Sequence, residues 1–144
     1  MSLLAIATLC AGLFSGAALY VSLVEHPARM ACGTELAVRE FGPSYRRATV
    51  LQLPLALVGA LAGGVEAWRQ ANSLLVAASL LLVAVVPFTL VAILPTNDGL
   101  QDPKLDPKSS TAFLLLTRWG RLHAVRTVLS LVAFLIFLWQ LAHA

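Results

Sequence analysis

Long apolar runs separated by short polar stretches dominate the chain, and they predict helices rather than strands. Leu3–Val24, Ala48–Val65, Leu74–Leu94 and Leu122–Leu141 are each long enough, at about 1.5 Å per helical residue, to cross a hydrocarbon core of roughly 30 Å. Hydrocarbon offers no partner to a backbone N–H or C=O, so such runs must be helices or close into a barrel. They lack the polar/apolar alternation of barrel strands. The expected fold is therefore all-α: one integral membrane four-helix bundle over residues 1–144, with spans near 3–24, 48–65, 74–94 and 122–141 and loops at 25–47 and 95–121.

Composition agrees: 59% of residues are hydrophobic, 12% are charged, and the mean hydropathy is +0.84. No Lys or Arg precedes the first run, and that run exceeds the 7–15-residue core of a secretory signal, so the first helix is expected to stay in the protein. Cys10 and Cys32 would lie roughly 33 Å apart on a continuous helix, too far for a disulfide.

Basic residues set the expected orientation. Arg29, Arg39, Arg46 and Arg47 fall between spans one and two, and Lys104, Lys108, Arg118 and Arg121 between spans three and four; only Arg69 falls on the other side. The positive-inside rule then puts both long loops in the cytoplasm and both termini outside, in the plasma (inner) membrane. The net charge of +3 needs no nucleic-acid partner to explain it, and it suits contact with anionic lipid in the bilayer.

Small residues predict where helices touch. Thr8, Gly12 and Gly16 share one face of the first helix, and Gly59 and Gly63 one face of the second, each with a G-x-x-x-G spacing that allows close backbone approach. Pro54 and Pro87 fall inside spans two and three and are expected to bend them. Asp98–Lys108, with its repeated D-P-K, reads as an exposed non-helical strap, a connector or a lid, after which Ser109 or Ser110 caps the fourth helix.

Candidate chemistry gathers at the loop ends of the helices. Ser22, His26 and Arg29 repeat at i, i+4 and i+7, with Glu25 beside them; Tyr45, Thr49 and Gln52 do so on the second helix, and Trp119, His123 and Arg126 on the fourth. Asn97 lies at the same level on the third. An Arg within a span costs about 2.5–3.5 kcal/mol at mid-membrane and less near its edge. Arg126 thus has three readings: it reaches out to headgroups, pairs with Glu25 as bundle glue, or lines a pocket. His26 and His123 are the residues there that exchange protons readily near neutrality. They serve either as a general base and its helper or as two ligands of a metal or haem, although no H-x-x-x-H or E-x-x-H spacing supports the latter.

The segments V-E-H-P-A-R at Val24–Arg29, P-S-Y-R-R at Pro43–Arg47, I-L-P-T-N ending in Asn97 and W-G-R-L-H-A-V-R at Trp119–Arg126 together resemble the anthrone oxygenase-like family of small membrane proteins, along nearly the whole chain. The resemblance implies a four-helix membrane protein, and some members oxidise polyketide anthrones to anthraquinones with O2 and no established organic cofactor. Carried over, it implies a hydrophobic aromatic substrate, deprotonation by His26 or His123, and an oxyanion stabilised by Arg29 and Arg126. Glu25 then counts with the catalytic residues as the partner of Arg126. Tyr45 and Trp119 stack on the rings, while Gln52 and Asn97 hydrogen-bond the substrate. Two other classes stay open: a non-catalytic subunit of a homo-oligomer or larger membrane complex, and a haem or metal redox carrier.

Overall fold

The computed structural model of the chain describes residues 2–144, and they form four long helices: α1 (Leu3–Ala31), α2 (Thr34–Gln70), α3 (Ser73–Leu100) and α4 (Ser110–Ala142). All four are long and apolar enough to cross a membrane, and leucines, valines and tryptophans cover the outside, among them Leu61, Val91 and Trp68. A surface so apolar is stable only against lipid, which makes the protein an integral membrane protein. The helices pack in a ring, α1 on α2, α2 on α3, α3 on α4 and α4 on α1. Both the α1–α2 and α3–α4 connections lie at one end, where Lys108 Nζ pairs with Glu35 Oε2 at 3.3 Å.

The helices run well past the expected spans. Most of 25–47 is helical, broken only at Cys32–Gly33, where Gly33 takes the positive φ (97°) that reverses the chain. α3 continues to Leu100, and α4 starts at Ser110, so the strap shrinks to residues 101–109. Polar sequence is no bar to helix once the helix has left the bilayer. In the strap each D-P-K forms its own turn: Lys104 N donates to Asp102 Oδ1 (2.8 Å) and Lys108 N to Asp106 Oδ1 (2.9 Å). Ser109 caps α4, its hydroxyl accepting from Ala112 N. At the opposite end Ala71 adopts the left-handed conformation (φ 51°) that stops α2, and Asn72 caps α3 while donating to Gln140 Oε1 of α4 (2.8 Å).

Two helices carry a wide turn. Val21–Glu25 in α1 and Thr89–Ile93 in α3 are π-turns, closed by His26 N→Val21 O and Leu94 N→Thr89 O. Each ends two residues before a proline, Pro27 or Pro95. A proline has no N–H to give and its ring collides with the carbonyl four residues back, and the wider turn relieves that collision. Pro43, Pro54 and Pro87 are carried inside continuous helix.

The core is built from alanines and glycines set against phenylalanines: Ala7, Ala11, Ala56, Ala78 and Ala133 are fully buried around Phe14 and Phe137. The glycine faces divide. A Cβ on Gly59 would lie 2.9 Å from Cys10 and Leu82, and one on Gly63 2.5 Å from Phe137. Gly12 likewise meets Phe134, but Gly16 meets nothing within 4 Å and faces outward, so it lies off the packing face of α1, which continues through Ser15 and Ala18. Cys10 and Cys32 are both free thiols. Gly63→Ala should therefore lower stability by about 1–3 kcal/mol through overpacking, while Gly16→Ala should leave it within about 0.5 kcal/mol; thermal unfolding of the two variants in mild detergent measures the contrast.

Candidate functional site

Toward the loop end the four helices separate enough to leave a cavity of about 130 Å³, of the order of the roughly 150 Å³ that admits a benzene ring. Its walls are largely aromatic and aliphatic: Phe14 from α1, Phe41 and Tyr45 from α2, Val85 from α3 and Trp119 from α4. Into it come His123 and Arg126 of α4, Arg29 of α1, and Thr49 and Gln52 of α2. Leu53, Thr49 and Leu90 also line it and are exposed, so the cavity opens sideways between α2 and α3 onto the lipid-facing surface.

Arg126 has no carboxylate partner among the described residues. Its Nη2 donates to Gln52 Oε1 (2.9 Å), its Cζ lies 5.5 Å from the Phe14 ring, and its Nε is buried without a partner. The expected Glu25–Arg126 pair does not form. Glu25 is taken instead by Arg29, to which it is ion-paired, and by Ser44, whose hydroxyl donates to Glu25 Oε1 (2.7 Å). Arg29 Nε also lies 3.0 Å from Glu40 Oε2. Two carboxylates therefore neutralise Arg29, which is 7% exposed and sits 5.6 Å over Trp119, whereas Arg126 keeps its charge free for the cavity.

The two histidines part company. His123, 3% exposed, lines the cavity, stacks on Trp119 at 4.8 Å and has its Nδ1 3.0 Å from Ser22 Oγ. His26 does not line it. Its ring packs on Trp119 at 5.2 Å and lies against the α4 backbone at Gly120, where any Cβ would come within 2.5 Å of Nε2. Among the described residues no three His, Cys, Asp or Glu side chains are grouped to hold a metal.

Of the residues expected at the site, Arg29, Tyr45, Gln52, Trp119, His123 and Arg126 meet in the cavity, while Glu25, His26 and Asn97 do not line it. Asn97, on α3, is fully buried, and both its side-chain polar atoms lack partners among the described residues. Phe14, Phe41 and Ser44 also line the cavity, and Thr127 lies beside His123, its hydroxyl 3.2 Å from the His123 carbonyl oxygen; none of the four was anticipated. Phe41 stands four residues before Tyr45 and Thr127 four after His123, so both were within reach of the helical period. Phe41 stacks on Tyr45 (6.0 Å, 3°) and meets Trp119 edge-on (5.3 Å, 85°), joining the aromatic walls of α2 and α4.

The sequence model of the family described as anthrone oxygenase matches residues 41–136, about two-thirds of the chain. The chain belongs to the anthrone oxygenase family. No curated protein and no solved structure matches it. The matched region of this anthrone oxygenase family member contains every cavity residue of α2, α3 and α4, including Gln52, Trp119, His123 and Arg126; Glu25, His26 and Arg29 precede it.

Because Gln52 Oε1 is the one acceptor holding Arg126 among the described residues, Gln52→Leu leaves a buried guanidinium without a hydrogen bond. The variant should lose about 1–3 kcal/mol or more, read as a lower unfolding temperature, and Gln52→Glu should recover it by supplying a carboxylate oxygen at the same reach.

Proposed function

We propose that the protein is a membrane-embedded oxygenase that oxidises a flat, enolisable aromatic ketone of the anthrone type with O2. The observation that carries this reading is the pairing of His123 with an uncompensated Arg126 in one aromatic-walled cavity that opens onto lipid. An anthrone dissolves in the bilayer and enters between α2 and α3. Tyr45 and Trp119 hold its rings, and the part of a three-ring ligand too large for the enclosed space extends through the Leu53–Leu90 opening.

His123 takes a proton from the benzylic CH2, and the carbonyl becomes an enolate oxygen conjugated with the rings. Arg126 stabilises that oxyanion in a setting where few other dipoles compete. The carbanion-like anion passes one electron to O2, and the resulting radical and superoxide combine through a new C–O bond. His123 returns its proton to the distal oxygen, giving a hydroperoxide. Loss of the second benzylic hydrogen with O–O cleavage releases water and leaves the quinone carbonyl, so one CH2 and one O2 become one C=O and one H2O. In this reading O2 is the sole co-substrate, and no metal or haem takes part. The loop end with its arginines and lysines faces the cytoplasm, and the termini face outward.

His123→Ala should lower kcat for anthrone oxidation by about 10²- to 10⁴-fold and Arg126→Met by about 10²- to 10³-fold, whereas His26→Ala, outside the cavity, should stay within a few-fold of wild type. Oxygen uptake and quinone absorbance, followed with the protein in nanodiscs, measure all three. Equal activity of wild type and His123→Ala sinks the proposed base.

A further inference from the structure

Behind His123, on the side away from the cavity, runs a chain of hydroxyls that nothing in the proposed reaction uses. Ser22 Oγ lies 3.0 Å from His123 Nδ1 and 2.8 Å from Thr127 Oγ1, and Thr127 Oγ1 in turn lies 3.2 Å from both the Ala18 and the His123 carbonyl oxygens. Thr127 is 5% exposed, and Ser22 is half-buried. Each hydroxyl has a single proton, and that count fixes the direction of the chain.

A carbonyl oxygen only accepts. Were the Thr127 proton turned toward Ser22, the Thr127 oxygen would present lone pairs to two carbonyls at 3.2 Å in a site shielded from water, an unfavourable arrangement in a medium of low dielectric. Thr127 therefore donates to a carbonyl. The 2.8 Å contact between the hydroxyls then needs the Ser22 proton, and Ser22 has none left for the imidazole. Nδ1 must supply the hydrogen in its contact with Ser22, so the neutral ring carries its proton on Nδ1 and a lone pair on Nε2. Among the described residues that second nitrogen has no hydrogen-bond partner, nor is it one of the sealed, unpartnered atoms, so it is the ring atom left open.

We infer that Ser22 and Thr127 are positioning residues that fix the tautomer of His123, leaving Nε2 bare and turned to the cavity as a proton acceptor. The use of that acceptor in catalysis rests on the oxygenase reading above; the tautomer itself does not. The π-turn is part of the device. It begins at Val21, holds Ser22, and directly follows the turn that carries the Ala18 carbonyl, so the proline-driven widening of α1 and the polarity of His123 share one segment.

Long-range 1H–15N correlation spectra of histidine-labelled protein in micelles, at mildly alkaline pH, read the tautomer without turnover, and His123→Gln identifies the resonances by their loss. Wild type should show His123 protonated at Nδ1 and bare at Nε2. Ser22→Ala should shift the ring toward a mixture of tautomers, and Ser22→Thr, which keeps the hydroxyl, should restore the wild-type pattern. A wild-type ring protonated at Nε2, or a Ser22→Ala spectrum unchanged from wild type, overturns the inference. Should the Nδ1–H tautomer be present in a protein that does not oxidise anthrones, the relay stands and the oxygenase reading falls; active protein with the opposite tautomer gives the reverse.

Discussion

An arginine with no counter-charge among the described residues, held between membrane-spanning helices, is the constraint around which the rest of this molecule is organised. A guanidinium inside a membrane span costs up to about 2.5–3.5 kcal/mol, and less near the boundary, unless something solvates it. Here the solvation is minimal: one amide oxygen from Gln52 and the face of Phe14. The nearby carboxylates, Glu25 and Glu40, are committed to Arg29. That division of labour separates a structural cation from a free one. Arg29 ties the end of α1 to α2, and Arg126 is left with charge to offer to whatever enters the cavity.

The backbone supports this arrangement through close packing on one side and widening on the other. Toward the termini, Gly59 and Gly63 bring α2 against α1, α3 and α4 so tightly that no side chain fits. Toward the loops, the π-turns of α1 and α3 spread the bundle, and the cavity forms at that level, lined in part by Val21 and by Thr89 and Leu90 of the turns themselves. A ring of helices with one tight and one loosened end gives a small lipid-accessible chamber without any extra domain.

The same turns explain which parts of the site were legible in the sequence. On α2 and α4 the stripes Tyr45, Thr49, Gln52 and Trp119, His123, Arg126 all reach the cavity, because uninterrupted helix preserves the period of 3.6. On α1 the stripe of Ser22, His26 and Arg29 starts inside a π-turn, and on α3 the one expected residue, Asn97, lies beyond another. One additional residue per turn rotates everything beyond it by roughly 100°, so His26 is carried onto the α4 backbone and Asn97 into the body of the bundle. Arg29 still reaches the chamber by the length of its side chain. The prolines that provoke the turns, Pro27 and Pro95, were visible; that a helix would absorb them by widening rather than kinking was not. The four helices themselves were plain from hydropathy, while their ends were not, since most of 25–47 and all of 95–100 are helical though polar, and hydropathy reports the membrane rather than the helix.

The proposed chemistry requires this chamber to hold the ionised form of an enolisable aromatic. Absorption spectroscopy of purified protein mixed with an anthrone under strictly anaerobic conditions tests it directly, because oxidation is blocked and the enolate and keto forms absorb at different wavelengths. The enolate band should appear on binding at neutral pH and saturate with protein concentration. A saturable complex showing only the keto spectrum, or no binding at all, would contradict it.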